Sequence, residues 1–314
     1  MRTLILTTGT SYRWPVIAPF ILSLRESGFT GDVVMLVEDK WLHPEDYAHF
    51  LRQGIETYSI YPWLSRIPER IRRFRFKPLL WPIHRMIPAL ALVGPRRLSS
   101  MFATWFHPIM SARLFFYCDL LATRGSQYQQ IILSDLRDVV FQSNPDEWRS
   151  DATLNVFLES DRHVIGAQSE NAQWIRRLYG GTMLNALALK RVSCAGIMHG
   201  STAAMVHYLK AMTRELARLT TLIGGINGYD QGVHNYLLHT ATFPGIRIWE
   251  NGDGLVINLH GETLGASLID ADGTVRNSHG KLIPMVHQYD RHPALCEIIT
   301  RKFRSDLRSS RPTQ

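Results

Sequence analysis

Cysteine is scarce in this 314-residue chain: only Cys118, Cys194 and Cys296 occur, far apart in sequence. No two of them have the spacing of metal ligands, and the pattern argues against a disulfide scaffold. Such usage fits a reducing compartment, so a cytoplasmic setting is expected. Long apolar runs are missing too, and none approaches the roughly 20 residues that a membrane span requires. The opening MRTLILTTGT is too short an apolar stretch for a signal-peptide core and reads as a first β-strand. The chain has no internal repeat, no low-complexity block and no nucleic-acid-binding motif.

Acidic residues are in deficit. Against 35 Lys and Arg stand 27 Asp and Glu, for a formal charge of +8. Much of the excess is local: from Arg66 to Arg97 the cations include Arg70, Arg72, Arg73, Arg75, Lys77, Arg85 and Arg96, with Glu69 the sole acid. Phe74, Phe76, Trp81, Ile83, Ile87 and Leu90 are mixed among them. Two readings stand: a helix pair with its apolar face on the core and its basic face in water, or a peripheral contact between 66–97 and an anionic membrane surface. Nucleic acid is a poorer partner, because no motif accompanies the charge. Prolines at 62, 68, 78, 82, 88 and 95 keep any helices there short, since proline cannot donate to the helix ladder. Residues 62–107 therefore read as a basic, proline-rich helical insertion.

What is present elsewhere is an alternation. TLILTT, GDVVMLVED and IETYSI have the apolar character of buried strands, and RWPVIAPFILSLRESG and Glu45 to Arg52 have helical spacing between them. Strand, helix, strand, helix from the first residue implies an α/β fold, a parallel sheet with helices on its faces. Further along, a helix from Pro108 to Thr123 carries Met110, Leu114, Tyr117, Leu120 and Leu121 on one face. QQIIL, ATLNVFLES and RVSCAGIMHGS read as strands, and ENAQWIRRLYG as a helix stopped by Gly180 and Gly181. TAAMVHYLKAMTRELARL follows as a long amphipathic helix. The pattern predicts one domain over 1–300 and a basic, frayed tail over 301–314.

Three clusters stand out for chemistry. In QQIILSDLRDVVFQSNP the chain turns abruptly from a strand to Asp135-Leu136-Arg137-Asp138 and back to Val139-Val140-Phe141. A buried charge is costly unless paired or bound to a metal. Either the three charges satisfy one another in an Asp–Arg turn, or they face a ligand beyond the strand's carboxyl end, where open α/β sheets bind ligands. Two carboxylates there suit a hard cation such as Mn²⁺ or Mg²⁺. In GGINGYDQGVHN, glycines precede Asp230, which is placed to cap a helix, and Gln231 and Asn235 share one face at i and i+4. In IPMVHQYDRH, His287 ends a short apolar strand, either as a structural histidine or as a metal ligand.

The order of these parts resembles the GT-A class of nucleotide-sugar glycosyltransferases. A Rossmann-like first half leads to an acidic motif at a strand end, then to the small-residue strand SCAGIMHGS, the helix start DQG..N and a late histidine in VHQYDRH. The family's Asp-x-Asp motif is represented here by Asp135-Leu136-Arg137-Asp138, in which the carboxylates stand three residues apart instead of two. An extended chain would send them to opposite sides, so this variant demands a turn at Leu136-Arg137. The resemblance covers roughly residues 1 to 295, apart from the basic insertion.

What the resemblance implies is a Rossmann-like GT-A fold with a mixed central sheet, and transfer of a sugar from a nucleoside diphosphate donor to a glycan or lipid-linked acceptor. Asp135, Asp138 and His287 would hold Mn²⁺ or Mg²⁺ against the donor diphosphate. Thr7, Thr8 and Gly9, with Glu38 or Asp39 beyond them, would face the base and ribose. Ala195 and Gly196 would let the sugar approach the chain closely, and Gln231 and Asn235 would add polar contacts. Asp230 would contact the sugar or the acceptor hydroxyl, as general base in an inverting enzyme or as a stabiliser of the cationic sugar in a retaining one. Arg137 would hold the carboxylates apart or bind phosphate, with Lys281 or Arg291 as further cations. Two other classes remain: a nucleotidyl-transferring enzyme acting on a sugar phosphate, although TTGTSYRWP lacks the glycine-rich basic loop expected of one, and a non-enzymatic binder of membrane or nucleic acid working through the basic segment.

Overall fold

Leu4 and Leu6 of the first strand pack into one buried cluster and Ile5 into another. Alternation along a strand puts successive side chains on opposite faces, so both faces of the sheet are covered, as the apolar runs require. A computed structural model describes residues 2–39, 42–60, 107–219, 228–241, 243–262 and 268–304. The expected insertion at 62–107 lies almost wholly outside them, as does its membrane reading over 66–97. Among the described residues, no helix is long and apolar enough to cross a membrane.

The fold is α/β. In chain order the elements are β1 (Thr3–Thr8), α1 (Trp14–Glu26), β2 (Asp32–Val37), α2 (Pro44–Arg52), β3 (Ile55–Ser59), α3 (Ile109–Arg124), β4 (Gln130–Ser134), β5 (Val139–Phe141), β6 (Leu154–Leu158), α4 (Ser169–Leu187), β7 (Ser193–Ser201), α5 (Thr202–Arg218), α6 (Tyr229–Thr240), β8 (Ile246–Trp249), β9 (Val256–Asn258), β10 (Met285–His287) and α7 (Pro293–Arg304). Seven strands form a mixed sheet in the order β3-β2-β1-β4-β7-β6-β8. Only β7 runs against its neighbours, antiparallel to both β4 and β6. That reversal positions the site, because it sets the beginning of β7 beside the carboxyl end of β4. A small sheet, β5-β10-β9, hangs the last third of the chain onto the first. It shares a core with α7 through Val140, Val286, Leu295 and Ile299.

Three expectations are corrected. The helix expected to stop at Gly180 instead breaks there, at φ 85° and ψ 171°, and resumes as far as Leu187. Asp230 is not the cap of its helix: Gly228 takes that place at φ 92°, and Asp230 lies in the first turn. The first four residues of the expected tail, 301–304, are helical instead: α7 runs to Arg304 and buries Phe303 against the small sheet, and the rest of the tail lies outside the described residues.

Candidate metal centre and cleft

The chain leaves β4 at Ser134, bends at Leu136 and turns at Arg137 and Asp138 before entering β5. This is the turn that the three-residue spacing demands. Each side of it is pinned: the Asp135 N–H donates to the Gly196 carbonyl at 2.7 Å, and the Asp138 carbonyl accepts from the Gln288 N–H at 2.7 Å. The Tyr289 hydroxyl reaches the Arg137 carbonyl at 3.2 Å. One carboxylate is thus tied to β7 and the other to the chain just after β10, which delivers His287 between them. His287 Nε2 lies 3.7 Å from Asp135 Oδ2 and 3.6 Å from Asp138 Oδ1. One ligand atom from each of the three residues falls within 4.8 Å of the others. Gly196 forms the floor: a β-carbon there would stand 2.6 Å from His287 Cε1 and 2.7 Å from Asp135 Oδ2.

The histidine's tautomer follows from its neighbours. The Leu158 carbonyl can only accept, so it fixes Asn258 Nδ2 as the donor at 2.9 Å. Asn258 Oδ1 then faces His287 Nδ1 at 2.8 Å and requires a proton there. In the neutral ring the Nε2 lone pair is left pointing at the two carboxylates, which is how a second residue prepares a histidine for a cation. Asn258→Leu is expected to weaken Mn²⁺ binding by about 10- to 100-fold, measured by electron paramagnetic resonance titration. An unchanged affinity would remove Asn258 from this role.

Electrostatics set the same residues apart. Burial alone would raise the Asp135 carboxyl, but Arg113 and His287 beside it more than offset that and hold it well below the usual carboxylate range. Asp138 goes the other way, raised chiefly by burial. His287 is held well above its ordinary 6.5: burial works against its charge, and Cys194, Asp138 and Asp135 outweigh it. Without a cation, then, the imidazolium itself compensates the carboxylates. Because the folded value is raised, this contribution to stability is complete below about pH 6.5 and is lost as pH rises through the folded value. Melting temperature in chelator is expected to fall from about pH 6.5 upward, and added Mn²⁺ to restore it, because the metal takes the place of the departing proton. A chelator series that stays flat with pH would contradict this.

Arg113 was not evident in the sequence and is central. It lies on the buried face of α3, 5 % exposed. Its Nη1 is 2.5 Å from Asp135 Oδ1 and its Nη2 is 3.6 Å from Asp230 Oδ2. Asp135 is thereby divided, one oxygen toward Arg113 and the other toward His287. Asp230 is buried, and burial first of all raises its carboxyl, with Arg113 opposing. Arg137 reaches Asp290 at 3.0 Å and Asp138 at 3.7 Å, so the turn carries an ion pair, and its own residues also line the cleft.

These groups line one cleft of about 420 Å³ that also takes in Thr8, Ala195, Gln231 and Arg291. The Thr8 hydroxyl is held at 2.7 Å by the Tyr117 phenol. Other expected contacts differ. Thr7 is wholly enclosed and Asn235 is 0 % exposed, and neither lines the cleft. Gly9 does not line it either: a β-carbon there would meet Met35 and Leu136, and Gly9 sits with Glu38 on a smaller crevice that shares Tyr12 with the cleft. Asp39 and Lys281 are not on the cleft wall either.

Gln231 and Asn235 serve the backbone. Asn235 Oδ1 accepts from the Ser193 N–H at 2.8 Å, and its Nδ2 donates to the Ser193 carbonyl at 3.0 Å. Gln231 Oε1 accepts from the Ala195 N–H at 2.7 Å. Pairing of β6 with β7 slips its register between Val156 and Leu158, and the two amides of α6 satisfy backbone groups that the irregular ladder leaves over. Sequence reasoning also missed Glu159, at the carboxyl end of β6, whose Oε2 lies 3.0 Å from His163 Nδ1. It carries the same signal as Asp135, a carboxylate ending an apolar strand.

No protein-family model matches this chain, and no curated protein sequence matches it.

Proposed function

We propose that the protein is a metal-dependent glycosyltransferase of the GT-A class, using a nucleoside diphosphate sugar. One observation carries this reading: two carboxylates and an imidazole nitrogen converge beside a cleft at the carboxyl end of the central strand β4. The donor set fits the cation. Carboxylate oxygens and an imidazole suit Mn²⁺ or Mg²⁺, and three protein ligands leave coordination positions for diphosphate oxygens. The charges agree in direction: Asp135 and Asp230 share one guanidinium, Arg113, and Asp138 meets only the half-exposed Arg137, so carboxylates outnumber the guanidinium buried among them. Bound there, the ion supplies Lewis-acid neutralisation of the charge on the departing diphosphate.

The chain's own residues do the rest. Arg137 and Arg291 line the cleft and offer positive charge to phosphate oxygens. Gly196 admits the sugar to the floor beside Asp135. Asp230 faces the same space at the start of α6, beside Arg113, placed for the sugar or the attacking hydroxyl. The acceptor is a glycan or a lipid-linked glycan, and the setting is cytoplasmic, where such donors occur.

The direct test offers a panel of nucleotide sugars with Mn²⁺ and measures release of nucleoside diphosphate. Release with one donor, lost on chelation, is expected. No release with any donor, together with no metal-dependent nucleotide binding, would overturn the reading.

A further inference from the structure

The cleft has two chemically unlike ends. One is ionic, built around Asp135, Asp138 and His287. The other is a wall presented at the start of α4 by Gln168, Glu170, Asn171 and Trp174. Spacings of three and four residues bring these side chains to one side of the helix. The indole of Trp174 is seated deliberately: a β-carbon on Gly228 would stand 2.2 Å from Trp174 Cζ2, and one on Gly232 would stand 2.9 Å from Trp174 Cβ. Gly228 also takes a left-handed φ of 92°. Two glycines one turn apart thus make room for the ring and fix its plane. It remains half-buried, with part of its surface in the cleft.

Asn171 supplies an independent sign of a ligand. It is 5 % exposed and lines the cleft, yet its buried Oδ1 has no hydrogen-bond donor among the described residues. A buried acceptor is normally answered by protein, water or ligand. Glu170, beside it, is exposed and accepts from the Ser169 hydroxyl at 2.9 Å. None of the four side chains carries a positive charge. The wall therefore combines an aromatic face, a carboxylate and two carboxamides, which suits C–H groups and hydroxyl donors. A phosphate or carboxylate ligand would call for a cation that the wall does not present.

We propose that this wall is the acceptor subsite and that its ligand is an uncharged saccharide. Its ring face lies on Trp174, and its hydroxyls donate to Glu170 and meet the Asn171 carboxamide, which turns to receive them. The inference rests on the glycosyltransferase reading of the same cleft, in which the ionic end holds the donor.

Saturation-transfer NMR with cellobiose, maltose and lactose, each offered to the metal-free protein without nucleotide, tests the wall separately from the ionic end. Transfer to ring C–H protons of at least one disaccharide is expected, with binding weakened at least about tenfold in both Trp174→Ala and Glu170→Lys. Glu170 is exposed, so its variant decides the matter even where Trp174→Ala fails to fold. No transfer from any of the three sugars overturns the proposal, and so does transfer that survives both variants. Transfer from uridine or adenosine alone also overturns it and marks the wall as a nucleobase seat. Manganese titration in parallel judges the donor reading. Manganese binding without saccharide transfer removes the subsite and leaves the donor reading standing, and saccharide transfer without manganese binding leaves a saccharide site but removes its role as an acceptor subsite.

Discussion

Asp138→Asn is expected to lower Mn²⁺ affinity by roughly 100-fold or more, beyond the range seen when only an outer partner of a ligand is lost. Asparagine keeps the shape and the backbone contact to Gln288 but removes the anionic oxygen that lies 3.6 Å from His287 Nε2. The effect on the empty protein has the opposite character. Burial raises the Asp138 carboxyl, so the fold holds its charged form at a cost. Neutralising it is expected to leave melting in chelator within about 1 kcal/mol of the parent, or to raise it, the usual relation between a functional charge and stability. The two measurements separate a ligand from a structural residue. Manganese-dependent stabilisation should vanish while the chelated melting point holds. Loss of both would mean that Asp138 serves the fold, and retention of both would remove it from the site.

Arg113→Met is expected to cost about 3–5 kcal/mol of unfolding free energy, the range for removing one partner of a buried ionic group. The arginine is buried, and Asp230 is 5 % exposed, so water cannot replace the guanidinium. Two carboxylates would be left facing each other across the vacated space. Lysine cannot substitute, because one ammonium point charge does not span two carboxylates as the guanidinium does, and Arg113→Lys is expected to recover only part of the loss. Removing one of the stranded charges should help: Arg113→Met with Asp230→Asn is expected to be more stable than Arg113→Met alone, a non-additivity of the kind that contacting residues show. Urea unfolding of the parent, the three Arg113 variants and Asp230→Asn alone measures this. A single variant within about 1 kcal/mol of the parent would mean that Arg113 does not hold these carboxylates.

The chain's strands were legible because alternation and apolar runs are local signals. β1, β2, β3, β4, β6 and β7 fall where TLILTT, GDVVMLVED, IETYSI, QQIIL, ATLNVFLES and RVSCAGIMHGS place them. The acidic turn was legible for the same reason: charge bounded by two apolar runs is conspicuous. Arg113 was not. It stands three residues after Met110 and four before Tyr117, on the apolar side of its helix, where an arginine is easily taken for a surface residue that snorkels. Its partners are 22 residues away at Asp135 and far along the chain at Asp230, and nothing local announces them. Asn235 differs in another way. It shares a helix face with Gln231, but its side chain serves the irregular start of β7 and does not line the cleft as Gln231 does, and a register slip leaves no mark in sequence. Direction was hidden as well: nothing in SCAGIMHGS says that the strand runs backwards.

Because β10 pairs with β5, the centre depends on two pieces of chain synthesised at different times. Asp135 and Asp138 leave the ribosome about 150 residues before His287, roughly 8 to 30 s earlier at ordinary rates of synthesis. During that interval the acidic turn lacks both its imidazole and the small sheet that pins it. A nascent chain folded as far as β8 holds two clustered carboxylates with no third ligand and no α7 to cover Val140. Cation capture by the proposed centre therefore waits on His287 and β10, well after the acidic turn itself has emerged.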